Sequence, residues 1–566
     1  MTAPRPAAGP FLPLLSALSM AMFAALPVAA LGQAVPDAGG ALREATPPPR
    51  VIPPTPEIKG MPAPQPAATT APVGGPSFVL KGVRFSGSTR FTNDALQALV
   101  ADRIGQAVTL ADLEALAERV TERYRQDGYL LAQAVVPVQE FGDGIVDMSV
   151  VEGTLGKVTL QVDPAARVEP QVVERILARL EPGQPLHGPT LERVMLLLSD
   201  LPGLAPQAAL EQGDAAGTTD LIVTVGPRRN WSLILDADNY GSRASSEYRV
   251  GATGRLNGPL RLGDNLDARA QFGAGGRLSY GRLSYELPLG GNGTRLGASY
   301  SQVDYKLGKD FTELDASGRA DVLELSLSHP IIRSRSRNLF ARLGWQRKDL
   351  DDRIGLISRR DEKSLRTVFA GLAYEQRDNL LGGGYTSAGL TAFFGDLDLG
   401  GIARAEDRTG RRTEGSFQHW NYELSRLNQL VGPLNLFFGM TGQFADRNLT
   451  SAEKVSLGGP RAVRAYAPAE ATVDEGHVAN LELRYSVTPD LSLQGFYDWG
   501  WGRFNRKPAP GEGDNHVTLR GYGVGAFWGT ADGFVLRTSL AWRVTDRGVT
   551  DPDRVPRLYM QVSKSF

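Results

Sequence analysis

The sequence predicts a transmembrane β-barrel of about 16 antiparallel strands preceded by two small α+β domains. Three observations predict it. From Arg228 to Phe566 helical periodicity gives way to alternation of apolar and polar residues. Residues 77–227 hold two successive units with the same order of elements: strand, helix, helix, strand, strand. Beyond the amino-terminal run, no stretch is long and apolar enough to cross a bilayer as a helix, so a membrane-spanning part must close into a barrel.

Composition narrows the chemistry. The chain has 566 residues, 42% of them hydrophobic, and a net charge of -1, which disfavours both general disorder and a nucleic-acid partner. It has 0 cysteines, so disulfides, thiolate catalysis and Cys-ligated zinc are excluded, and an oxidising compartment does it no harm. His187, His329, His419, His477 and His516 are widely spaced, with no HExxH or His-x-His pair, so no metal site is expected. No GxxxxGK[ST] loop and no GxSxG elbow occurs. The expectation is no catalytic residue and no cofactor.

At the amino terminus Arg5 precedes the apolar run Phe11 to Leu31, which ends in small residues around Gly32. Residues 1–32 read as a secretory signal peptide, with a membrane anchor as the alternative; Pro13, Pro27 and the small-residue exit favour the signal. Residues 33–76 are dominated by Pro, Ala and Gly and read as an extended linker. Its first stretch, Gln33 to Thr46, carries a Gly pair that disfavours a stable helix.

The first α+β unit, residues 77–153, opens with a strand from Phe78 to Phe85 and enters a helix near Thr92. A second helix starts at Thr109, whose hydroxyl can cap it with Asp112 three residues on, and Leu110, Leu113, Leu116, Val120 and Tyr124 share one face. Strands Leu130 to Val138 and Gly144 to Glu152 follow. The second unit, residues 154–227, repeats the order with strand Lys157 to Val162, helices Val168 to Leu180 and Thr190 to Leu201, and strands Gln207 to Glu211 and Asp220 to Val225. Small sheets with open edges suit peptide capture by strand addition.

In the last region, residues 228–566, Leu266, Ala268, Ala270 and Phe272 alternate with Asp267, Arg269 and Gln271, and Ala479, Leu481, Leu483 and Tyr485 alternate with Asn480, Glu482 and Arg484. A soluble sandwich also alternates. Here, however, the polar parity is rich in Arg, Glu, Gln and small residues, as a watery lumen requires, and Trp345, Tyr374, Trp420, Trp499, Trp501, Trp528 and Trp542 recur near strand ends as interfacial girdles do. About 340 residues, at about 10 per tilted strand plus turns, suit about 16 strands. Parity also turns Leu491, Leu493, Tyr497, Trp499 and Trp501 to lipid, and Phe496 and Asp498 to the lumen.

The tandem β-α-α-β-β units resemble POTRA domains, the periplasmic modules of the BamA/TpsB superfamily, with a pair of unrelated α+β domains as the alternative. LERVMLLLSDLPG (Leu191 to Gly203), DNYGSRASSEYRVGATGRLNGPLRLGDNL (Asp238 to Leu266) and YGRLSYELPLGGNGTRLGASYS (Tyr280 to Ser301) follow in the order of the ShlB/FhaC/HecB family of two-partner secretion transporters. Nearly the whole mature chain after the linker resembles that family. Val463-Arg464-Ala465-Tyr466 resembles the family's VRGY/F tetrad, carried on a loop folded back into the lumen, and Gly495-Phe496-Tyr497-Asp498-Trp499-Gly500 resembles the inner-wall motif whose aspartate holds the tetrad arginine. Ala465 replaces the family glycine, which disfavours any positive φ there. Phe566, in parity with Leu558, Met560 and Val562, resembles the carboxy-terminal signal of outer-membrane barrels, with Lys564 a departure.

The resemblance implies an outer-membrane pore that takes an unfolded exoprotein from the periplasm and passes it to the cell surface without ATP. The implied partners are a secreted adhesin or haemolysin-like protein with an amino-terminal secretion domain, outer-membrane lipid, and the barrel-assembly machinery for insertion. Another superfamily activity, BamA-type insertion of other barrels, is the alternative; those relatives usually carry three or five POTRA units. A diffusion porin would not need the two units. Nothing in the sequence names the cargo or decides whether a plug helix precedes the linker.

Overall fold

The computed structural model describes residues 35–46, 76–129, 131–215, 217–508, 513–544 and 554–566. The expected signal peptide and residues 47–75 of the expected linker lie outside them. Among the described residues no helix is long and apolar enough to cross a membrane. The crossing is made by strands: sixteen of them, from Trp231–Asp238 to Arg557–Ser565, close into one antiparallel barrel.

The first unit pairs Gly82–Ser86 in parallel with Ile145–Val151, which pairs antiparallel with Gln133–Val135. Helices Asn93–Val100 and Leu110–Gln126 cover one face. The expected capping box forms, with Thr109 Oγ1 accepting from Asp112 N and the Asp112 carboxylate accepting from Thr109 N. Leu113, Leu116, Val120 and Tyr124 are buried as their spacing requires, while Leu110 is exposed. The single strand expected over Phe78 to Phe85 is two, Phe78–Val79 and Gly82–Ser86, because Leu80 between them turns fully into the core. The second unit sets Thr218–Pro227 between Thr154–Val162 and Leu204–Gln212, under helices Pro170–Leu177 and Gly188–Ser199. That unit is fixed to the barrel: Arg333, the last residue of strand Ala316–Arg333, makes a forked ion pair with Asp200 at 2.6 and 3.0 Å, and the Arg333 side chain is 0% exposed. Arg193 donates to Pro330 O at 2.6 Å.

In the barrel the alternation holds. Leu481, Leu483 and Tyr485 are each about half exposed on the outer wall, while Glu482 is 6% exposed on the inner one. The seam joins the last strand to the first over five register pairs, Gln561↔Asp238 to Ser565↔Ile234, and Phe566 N extends it by donating to Leu233 O at 2.8 Å. Phe566 points outward at the periplasmic rim. Lys564 is accommodated there because its ammonium reaches Asp532 of the neighbouring turn at 2.5 Å. Ala316–Arg333, Arg337–Ile354 and Arg359–Asp378 have 18, 18 and 20 residues, twice what a bilayer needs, so their outer halves stand above the membrane.

The linker expectation is corrected at its start. Ala38–Ala45 is a helix inside the outer half of the barrel. Asp37 caps it by accepting from Gly40 N at 3.0 Å, and Ala38, Ala41, Leu42 and Ala45 bury against wall residues such as Leu278, Tyr305, Leu350 and Leu365. Tertiary burial, not propensity, makes this helix.

Candidate functional site in the barrel lumen

The segment 446–474 joins strands Leu434–Ala445 and Glu475–Ser486. It does not project outward. Val455–Ser456 pairs with Thr472–Val473, Val463 N donates to Leu457 O at 3.0 Å, and the loop folds back against the inner wall. Its tip brings Val463, Arg464, Ala465 and Tyr466 into a buried cluster with Phe496, Val478 and Leu519.

The wall is shaped for that tip. Glycines alternate along its inner face, and two of them leave room for the tip: a Cβ on Gly500 would lie 2.9 Å from Val463 Cγ2, and one on Gly521 would lie 2.6 Å from the Cβ of Ala465. The methyl group of Ala465 thus fills a wall hollow. Its φ is not positive; the non-glycine residues of the loop with positive φ are Ala469 and Ala471, at φ 62 and 52. The expected difficulty with alanine in place of glycine does not arise. Tyr559 OH secures the end of the tetrad by donating to Tyr466 O at 2.7 Å.

Arg464 meets Asp498 across the lumen. Its Nε donates to Asp498 Oδ2 at 2.9 Å, its Nη2 to Oδ1 at 2.7 Å, and its backbone N to Oδ2 at 3.0 Å. The fourth donor to that carboxylate is Asn480 Nδ2, at 2.7 Å. Nη1 of Arg464 pairs with Glu482 at 2.8 Å, and Glu482 pairs with Arg484 at 2.6 Å. The guanidinium lies 3.5 Å from the centroid of the Phe496 ring. Two cations and two carboxylates balance, and the Asp498 side chain is 0% exposed. Such a sheltered network fixes position: losing one partner strands a buried charge, costing roughly 3–5 kcal/mol when dry and less in a wet lumen.

Of the residues expected on the inner wall, Phe496, Asp498 and Gly500 are there. Gly495 is a correction: it shares the outward parity of Leu493 and Tyr497, and a Cβ on it would meet nothing within 4 Å. Glu482 was expected on the polar parity, but no spacing ties it to Arg464 at a distance of 18 residues.

A second mooring holds the root of the loop. Glu453 accepts from Lys348 at 2.7 Å and contacts His419 at 3.1 Å, while Lys454 pairs with Asp474 at 2.9 Å. The lumen helix joins it: Arg43 Nη1 donates to Ser451 O at 2.6 Å and Lys454 O at 3.1 Å, and Ser451 Oγ donates to Asp37. On the other side Asp37 and Asp352 share Lys363, at 3.0 and 3.1 Å. A cavity of about 550 Å³ remains beside the helix, with Arg282, Glu324, Arg342, Gln346 and Lys348 among its lining residues.

Comparison with known proteins agrees with this anatomy. Residues 78–153 match the POTRA domain, ShlB-type. The heme/hemopexin transporter protein HuxB of Haemophilus influenzae is 26% identical over 502 residues, 87% of this chain and 88% of that relative. The solved structure of CdiB from Escherichia coli superimposes with a TM-score of 0.69 at 20% identity, over 90% of this chain and 94% of that one. BamA from Haemophilus ducreyi lacking POTRA domains 1-3 superimposes with a TM-score of 0.53 at 14% identity, over 86% of this chain and 100% of that one. The family model for haemolysin secretion/activation protein ShlB/FhaC/HecB matches residues 217–528, more than half of the chain, and the chain therefore belongs to that family of outer-membrane transporters.

Proposed function

We propose that this chain translocates one secreted partner, an adhesin or haemolysin-like protein with an amino-terminal secretion domain, which it receives unfolded at its periplasmic units. The chain is a two-partner secretion pore of the outer membrane. The observation that carries the proposal is the state of its lumen. A barrel of sixteen strands is stoppered by two pieces of its own chain, Ala38–Ala45 and the loop bearing Arg464, each held by apolar burial together with ion pairs and hydrogen bonds that can be exchanged. The cargo enters past the units, displaces the stoppers and folds outside, where its burial opposes return. No nucleotide is needed.

Arg464 and Asp498 are proposed as the latch of the loop, with Val463, Ala465 and Tyr466 as its seat, and Phe566 as the residue read by the barrel-assembly machinery. Residues 1–32 are proposed as the export signal. The relatives' names, transporter proteins in both HuxB and CdiB, support export over barrel assembly, as does the count of two periplasmic units. Deleting the gene tests the reading: loss of a single large secreted protein from the cell surface is expected, and a general loss of outer-membrane barrels would replace it with the assembly reading.

A further inference from the structure

The outer wall carries a feature that export does not use. Across strands Arg337–Ile354 and Arg359–Asp378, the outward rows Leu339↔Tyr374, Ala341↔Leu372, Leu343↔Ala370 and Trp345↔Val368 are apolar. The next row up is Arg347↔Arg366. From Arg337, at the periplasmic turn, to Arg347 is about 33 Å of strand, or about 25 Å of height at a barrel's tilt, which is the thickness of the apolar band. The two arginines therefore face each other directly at the first charged level of the outer leaflet.

Like charges directly opposite on neighbouring strands repel. Above the pair, Asp351 holds both Arg353 and Arg360 at distances of 2.9 and 2.8 Å. Arg347 spends Nε and one Nη on Asp349, at 2.8 and 3.3 Å. Arg366 is exposed and has no hydrogen bond or ion pair among the described residues; Asp396, opposite it on the next strand, accepts from Ser416 Oγ at 3.2 Å. Beneath the pair runs a groove of about 470 Å³ on the outer wall, lined by Trp345, Val368, Phe394, Gln418 and Asp446, with Arg366 and Asp396 at its upper rim. The free Nη of Arg347 and the guanidinium of Arg366 above a largely apolar slot, at the height of lipid headgroups, offer donors to an acylated molecule with a phosphate at its head.

We propose that Arg347 and Arg366 bind the phosphate of an outer-leaflet glycolipid whose acyl chain lies in the groove beside Trp345, Val368 and Phe394. The pair shares one anion, and the repulsion between the arginines becomes affinity for it. Native mass spectrometry on the full detergent-solubilised chain tests this, with diphosphoryl lipid A, fully dephosphorylated lipid A and inorganic phosphate as probes. Wild type is expected to retain diphosphoryl lipid A about tenfold over the dephosphorylated form, the Arg347→Gln/Arg366→Gln variant to lose that preference, and Arg353→Gln, an outward arginine already paired with Asp351, to keep it. Equal retention of the two lipids by wild type overturns the proposal without recourse to any variant. So does a preference unchanged in the double variant, or complete displacement of the lipid by millimolar inorganic phosphate, which would mark a free-phosphate site.

Discussion

Gly39 of the lumen helix sits so close to the folded-back loop that a Cβ on it would lie 2.6 Å from both Ser451 Oγ and Ala452 N. With Arg43 donating to the carbonyls of Ser451 and Lys454, helix and loop form one packed body, and moving either disturbs the other. The glycine that weakens the helix in isolation is what admits it to this position.

Gly39→Val should therefore prise the stoppers apart. Overpacking of this kind costs about 1–3 kcal/mol, so the open-to-closed ratio should rise by about fivefold to 150-fold. Single-channel conductance in planar bilayers checks this; an unchanged open probability would contradict the contact.

Arg464→Ala should leave the barrel inserted and cut export by about tenfold or more, since it leaves Asp498 buried without a cation. Asp498→Ala should harm loop seating less, because Glu482 still holds the guanidinium at 2.8 Å. Protease nicking of segment 446–474 in intact outer membranes ranks the two variants. Equal nicking would mean that Glu482 contributes nothing.

Asp200→Ala should loosen the second periplasmic unit from the barrel. Arg333 is left buried with Asn338 as a neutral partner at 3.0 Å, a loss of about 3–5 kcal/mol. The chain has 0 native cysteines, so spin labels placed at one introduced cysteine in each part report the change as a broadened distance distribution.

The first periplasmic unit should weaken in acid through Glu152. Burial alone would raise its pKa, but donation from Thr89, Tyr124 and Arg90 outweighs burial and holds it below the ordinary 4.5. A lowered folded-state pKa means the stabilisation is complete above the ordinary value and is lost as pH falls through the folded one. Glu152→Gln should cost about 1–3 kcal/mol near neutrality and progressively less below about pH 4. Hydrogen exchange over residues 78–153 of the full chain at both acidities measures it.

The barrel and the direction of its walls were legible because side-chain alternation has one period and one cause: Phe496 and Asp498 turn inward since Tyr497 and Trp499 must meet lipid. The capping box at Thr109 was legible because it is local. What stayed hidden is non-local. The helix Ala38–Ala45 exists through burial of its apolar face against the barrel wall and through contacts made by Asp37 and Arg43 with residues hundreds of positions away, so its two glycines misdirect any reading of the segment alone. Glu482 shows its parity but not its partner. Gly495 matched a motif by identity, while the strand turned it outward.

The helix Ala38–Ala45 is joined to the first periplasmic unit by about thirty residues, which reach no further than about 100 Å when fully drawn out. Once dislodged it cannot diffuse away. A linker of that length keeps its end at an effective concentration on the order of millimolar, so rebinding needs neither a new copy nor fuel. If cargo displaces that helix as proposed, the pore keeps its stopper tethered, and each passage would end with spontaneous resealing.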